Sequence, residues 1–266
     1  MSNQSTFYGQ VAIVTGGGQG IGRRIALDFL NEGASVALVG RDLKKLEHTI
    51  QDAGRASSNA IAVHADILKE NQVCRMMGKV VERFGHVDIL VNNAGVRGPT
   101  TPVVDLEFFD WQQVMGTNLT GTYLCSREAL KIMLPRRTGS IVNMSSIAGR
   151  HAYPLRAAYS VSKWGVIGLT LTLAQENGSS NIRVNAICPG PVEGQGLNEV
   201  ISDRARKLNI PVTEMRQRFL RPLALGRPVT ESDISRVVQF LSSEAGNNIT
   251  GQVINVDSGL ALWPNL

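Results

Sequence analysis

Residues 11–22 read VAIVTGGGQGIG: a short apolar run, then a glycine-rich turn, then the opening of an amphipathic pattern. The run VAIVT has no charged residue and suits a strand covered on both faces, as in a parallel sheet flanked by helices. Glycines directly after such a strand let the backbone approach a pyrophosphate closely. The helix that starts there offers free amide donors and the positive end of its dipole to the same anion. The glycines stand as Gly16, Gly20 and Gly22, in a T-G-x-x-x-G-x-G form that no register turns into G-x-G-x-x-G.

Outward from this stretch the same alternation continues. Strand candidates are 11–15, 35–39, 60–64, 87–92, 140–143, 183–187 and 252–256; helix patterns lie near 20–32, 42–53, 68–84, 107–134, 158–177 and 230–242. The last opens on Thr230 and Asp233, spaced as a capping box. Strands alternating with helices imply right-handed crossovers and a parallel sheet. The expected fold is α/β: a single doubly wound (Rossmann) domain over 1–266, with a seven-stranded parallel sheet and helices on both faces. In such a sheet ligands bind beyond the carboxyl ends of the strands, where the strand order reverses. The segments there are TGGGQGIG, GRD, ADI, NNAGV, MSSIAG and CPGPVEG, rich in glycine and small polar residues.

Composition narrows the function. The 266 residues are 43% hydrophobic and 18% charged with a formal charge of +5, which suits one sizeable core. Lys and Arg never run beyond a pair, so no nucleic-acid partner is expected. Three dispersed cysteines form no C-x-x-C and no metal spacing, and the four histidines lack partners at a useful spacing; no metal site and reduced thiols are expected. The start MSNQSTFYGQ does not read as a signal peptide and no apolar run is long enough for a membrane, so the expected location is cytoplasmic.

TGGGQGIG at 15–22, NNAG at 92–95, Ser146, and the pair Tyr159 and Lys163 in AAYSVSKW occur in that order along the chain. Together they resemble the short-chain dehydrogenase/reductase family in its roughly 250-residue form. The resemblance runs from about residue 9 to residue 260. It implies a catalytic set of Asn118, Ser146, Tyr159 and Lys163; the family's serine lies thirteen residues before the tyrosine, which picks Ser146 over Ser145. It further implies a nicotinamide dinucleotide held by Gly16, Gln19, Gly20, Ile21 and Gly22 and by Asn92, Asn93, Ala94 and Gly95. Asp66 and Ile67 would hold the adenine, Pro189, Gly190 and Val192 the nicotinamide, and Tyr159 and Lys163 would also touch the cofactor.

The chemistry of these residue types agrees. A free phenol has a pKa of about 10 and is a poor acid–base group near neutrality. A lysine one helical turn away is expected to favour the phenolate and lower that pKa. Ser146 would hydrogen-bond the substrate oxygen as charge develops on it, Lys163 would hold the nicotinamide ribose, and Asn118 would position a water in a proton relay. At the end of the second strand the carboxylate that selects NAD is replaced by Gly40, and Arg41 follows. A guanidinium without a competing carboxylate favours NADP(H); Gln19, where a second basic group often stands, leaves NAD(H) as the alternative.

The substrate side is less defined. Gly194 stands where the family has threonine, and 193–220 is expected to be a mobile substrate lid. His151, Tyr153, Leu155 and Arg156 could face the substrate; Arg156 could pair with an anion on it, though a surface or subunit-contact arginine fits as well. The expected function is interconversion of a secondary alcohol and a ketone or aldehyde. One alternative is a 3-oxoacyl-thioester reductase, using Arg127, Arg136 and Arg137 toward an acidic carrier protein. Another is a non-catalytic dinucleotide sensor. The resemblance also implies a homotetramer, built on the helices at 107–134 and 158–177 and on the C-terminal strand, with Trp263 at a contact.

Overall fold

The computed structural model describes residues 6–260. Seven strands, β1 (Val11–Thr15), β2 (Ser35–Gly40), β3 (Ala60–His64), β4 (Ile89–Asn92), β5 (Gly139–Met144), β6 (Ile182–Pro189) and β7 (Val253–Val256), pair in parallel in the order β3-β2-β1-β4-β5-β6-β7. The helices are α1 (Gly20–Asn31), α2 (Leu43–Asp52), α3 (Glu70–Phe84), α4 (Phe108–Met115), α5 (Gly121–Arg136), α6 (Ala157–Asn177), α7 (Gln195–Leu208), α8 (Val212–Leu220) and α9 (Glu231–Ser242).

The pleat of β1 shows how the sheet is sandwiched. Val11 and Ile13 join a core with Val73 of α3, Leu124 of α5 and Leu173 of α6. Ala12 and Val14 point the other way, to Ile25 and Phe29 of α1 and Ile234 of α9. Successive residues face opposite sides, so an unbroken apolar run was the pattern required. Full burial of each large side chain contributes about 1.5–3 kcal/mol. From β1 the chain goes to β2 on one side and returns to β4 on the other. That reversal opens a crevice at the carboxyl ends of β1 and β4.

One local reading changes. The pattern at 107–134 is not one helix: a wide π turn at 116–120 separates α4 from α5, and α5 runs on to Arg136. The turn is flanked by glycines because a Cβ at Gly116 would lie 2.5 Å from Leu68 and one at Gly121 2.7 Å from Ile67. The segment 193–220 folds into α7 and α8 around a small core of Leu197, Ile201, Ala205 and Met215. Gly194 precedes α7 at φ 133, a conformation that L side chains rarely adopt. The departure from threonine therefore has a backbone reason.

The capping box of α9 forms as its spacing predicts: Asp233 N donates to Thr230 Oγ1 at 3.2 Å and Thr230 N to Asp233 Oδ2 at 2.8 Å. Among the described residues no helix is long and apolar enough to cross a membrane, and no histidine, cysteine and carboxylate cluster could hold a metal. Cys74 is exposed, Cys125 and Cys188 are buried, and all three are free. Trp263 lies outside the described residues.

Candidate active site

A cleft of about 1700 Å³ runs along the carboxyl ends of the strands. At one end lies the turn after β1. A Cβ at Gly22 would sit 2.2 Å from Gly16 O and 2.4 Å from Asn93 Nδ2, so only glycine lets α1 pack this close. Gly16, Gln19, Gly20 and Ile21 face the cleft, and the first turn of α1 has no side-chain cap, which leaves its amides to the cleft. Thr15 joins the two strands at the reversal: its Oγ1 accepts from the amides of Asn93 and Ala94, each at 3.0 Å. Asn93 Nδ2 donates to Thr15 O at 3.0 Å.

Asn92, one residue earlier, points the other way. It is buried and donates to Ser126 Oγ at 2.9 Å and Asn143 Oδ1 at 2.8 Å, inside the sheet–helix interface. Asn93, Ala94 and Gly95 line the cleft and Asn92 does not, so its part is to bind β4 to β5 and α5. Asp66 and Ile67 line the wall beyond; Asp66 Oδ1 accepts from Leu68 N at 3.1 Å. Pro189, Gly190 and Val192 line the opposite wall, where a Cβ at Gly190 would lie 2.7 Å from Asp257 Cα.

Arg41 is exposed at the rim of the turn end. Lys45, four residues further and one turn into α2, donates from Nζ to Gln19 Oε1 at 3.0 Å. Sequence reading missed it. Its spacing from Arg41 was the available signal. This end of the cleft fits an anionic dinucleotide by its observed features: an uncapped helix start, close-packed glycines and two cations.

The other end holds Ser146, Tyr159 and Lys163. Ser145 Oγ donates to Lys163 O at 2.8 Å and is buried, while Ser146 Oγ accepts from Ala148 N at 3.2 Å and acts on the Tyr159 hydroxyl. Both serines line the cleft, but Ser145 is committed to the α6 backbone. Lys163 is buried; its Nζ donates to Met144 O at 2.7 Å and lies 5.7 Å from the centre of the Tyr159 ring.

The electrostatics differ from the expectation of a lowered phenol. Burial pushes the Tyr159 hydroxyl up, and the Ser146 hydrogen bond and the charges of Arg97 and Arg156 work against that rise. Burial brings the Lys163 ammonium itself down to about 8, because a desolvated amine binds its proton less well. The site therefore holds a protonated phenol, suited to giving a proton, beside a lysine that titrates close to neutrality.

Asn118 sits in the π turn, 1% exposed, and does not line the cleft. Its Oδ1 accepts from Val96 N at 2.8 Å, and its Nδ2 donates to Val96 O at 2.9 Å and Ser162 Oγ at 3.0 Å. The amide clamps the segment after Gly95 against α6.

His151 and Tyr153 face the cleft as expected; Leu155 does not. Arg156 is neither a surface nor a contact residue: it is 4% exposed and donates to Arg97 O and Gly98 O. Arg97 and Arg204, which the sequence did not single out, join it on the cleft wall.

The chain matches the family model described as short chain dehydrogenase over residues 10–205. It is 36% identical over 250 residues to a 3-oxoacyl-[acyl-carrier-protein] reductase FabG of Staphylococcus epidermidis, covering 94% of this chain and 98% of the relative. An NAD+-bound xylitol dehydrogenase superposes with a TM-score of 0.92 at 31% identity, over 95% of this chain and 99% of that one. An actinorhodin polyketide ketoreductase with NADPH gives 0.90 at 34%, over 99% and 100%.

Proposed function

The chain belongs to the short-chain dehydrogenase family, and we propose that it is an NADP(H)-dependent oxidoreductase interconverting a secondary alcohol and a ketone or aldehyde. The observation that carries this is the meeting of Ser146, Tyr159 and Lys163 at the inner end of a cleft whose other end suits a dinucleotide. The bound nicotinamide would supply or accept the hydride. Ser146 orients the substrate oxygen, and Tyr159 gives its proton to that oxygen in the reductive direction or takes it back in the oxidative one. Lys163, anchored by Met144, keeps positive charge behind the phenol. Asn118 acts through the Val96 backbone it clamps rather than by its own amide.

Arg41 and Lys45 favour the 2′-phosphate of NADP(H). NAD(H) stays the alternative; solved relatives include one with each dinucleotide. The names of similar proteins favour a second reading, reduction of a 3-oxoacyl thioester on a carrier protein. Against it, the basic residues meant for a carrier are already engaged. Arg127 pairs with Glu70 and Glu128, Arg136 with Asp88, and Arg137 donates to Ser179 O. A sensor without turnover would be expected to lack a catalytic group, and none is missing. We place the subunit in a homotetramer, for which exposed Phe108 and Phe109 on α4, Tyr123 on α5 and Trp164 on α6 offer apolar contact.

Absorbance at 340 nm tests the reading, with NADPH and then NADH, across ketones, aldehydes, keto sugars and 3-oxoacyl thioesters. Turnover of small carbonyls supports it. Turnover of carrier thioesters alone moves the assignment to the second reading, and binding without turnover in either direction moves it to the sensor.

A further inference from the structure

We propose that the substrate of this site bears a carboxylate held by Arg156, so that the reaction joins an oxo acid and the corresponding hydroxy acid; this rests on the oxidoreductase reading above. Arg156 is the N-cap residue of α6, three residues before Tyr159, and both line the cleft. It is 4% exposed. Its Nη1 donates to two carbonyl oxygens, of Arg97 and Gly98, and its guanidinium makes no other hydrogen bond among the described residues. The nearest carboxylate oxygen, on Asp203, lies 3.9 Å from Nη2, beyond hydrogen-bond distance, and Asp203 is already bonded to Arg206. A buried cation is normally paired with a hydrogen-bonded anion. Here Nε and Nη2 have no hydrogen-bond partner among the described residues, and Arg156 lines the cleft.

The chain accepts strain to put it there. Leu155 is held at φ 67, a left-handed conformation that costs a β-carbon residue about 1–3 kcal/mol and tends to occur at functional sites. Its carbonyl accepts from Thr101 N at 2.9 Å. Two further arginines surround the same end of the cleft. Arg97 is bonded to Gly196 O and Glu199. Arg204 of α7 lies 4.5 Å from the centre of the Tyr153 ring and 5.7 Å from that of Phe219, donates to Pro154 O, and keeps a buried Nε without a partner. Arg97, Arg156 and Arg204 thus line the same cleft as Tyr159, and the charges of Arg97 and Arg156 act on that phenol. A carboxylate of the substrate would take the open fork bidentately. The apolar chain of an acyl thioester passing the same wall would desolvate Arg156 without pairing it.

Reduction balances simply: hydride enters the carbonyl carbon, the Tyr159 proton goes to the oxygen, and NADPH becomes NADP+; the carboxylate is unchanged. The test measures kcat and KM of the full-length protein with NADPH, and with NADH, on pyruvate, acetoacetate and levulinate, each against its methyl ester. At least one acid is expected to exceed its ester by tenfold or more in kcat/KM. In Arg156→Gln that ratio should collapse through KM, and in Arg156→Lys it should survive in part. Esters reduced as well as acids, or an unchanged ratio in a folded Arg156→Gln, would overturn the carboxylate site and leave the oxidoreductase reading standing. Calorimetric binding of an acid but not its ester, with no turnover of any carbonyl, would uphold the site and sink the reading. Neither binding nor turnover of any acid would overturn the inference outright.

Discussion

Lys163 Nζ is bonded to the carbonyl oxygen of Met144, the last residue of β5, at 2.7 Å. This bond and the one from Ser145 Oγ to Lys163 O lock α6 onto the end of the strand that delivers Ser146. The buried ammonium is therefore a positioning group for the serine and tyrosine as well as a charge. Its energetic cost is set by burial, which makes it measurable.

The unfolded chain's lysine titrates near 10.5 and the folded one at about 8. Between those values the unfolded state binds more protons, so stability falls as pH drops from about 10.5 to about 8 and stays reduced below. Lys163→Met removes this dependence. Relative to the native protein it should gain about 2–3 kcal/mol more at pH 7 than at pH 10, read by urea unfolding. An equal difference at both pH values would refute a lowered lysine.

Tyr159→Phe removes the proton donor and keeps the ring. Turnover should drop by about a hundred- to ten-thousandfold, while dinucleotide binding, followed by calorimetry, changes little. Undiminished turnover would take Tyr159 out of the mechanism.

Arg41→Ala and Lys45→Ala should each weaken NADPH binding far more than NADH binding, by roughly tenfold. The double variant should lose most of the preference. Matching losses for both dinucleotides would defeat the argument from a 2′-phosphate.

Gly22→Ala places a methyl 2.2 Å from the Gly16 carbonyl oxygen, a backbone atom that cannot rotate away. A destabilisation of about 1–3 kcal/mol is expected, with weakened dinucleotide binding. A variant as stable as the native protein that still binds would show that α1 can shift.

Much of the site was legible because its signals are local. Tyr159 and Lys163 fall one helical turn apart, and the glycines of 16–22 follow an unmistakable strand. Thr230 and Asp233 announced a helix start that forms as expected. Asn118 was found by resemblance alone: nothing near it in sequence shows that its amide would clamp Val96, twenty-two residues away. The π turn escaped because the apolar periodicity of 107–134 does not register a one-residue widening, while the crowding against Leu68 and Ile67 comes from another segment.

From the sequence alone follow the parallel sheet and the order of its elements, since apolar period and turn chemistry act between near neighbours. Tertiary structure alone decided which neighbour faces the cleft and what each charge meets. Asn93 and not Asn92 turns outward, Lys45 reaches Gln19, Lys163 finds Met144, and Arg156 is buried with its fork open. Each outcome depends on desolvation and on partners brought close by the packing of distant segments, and no local pattern encodes either.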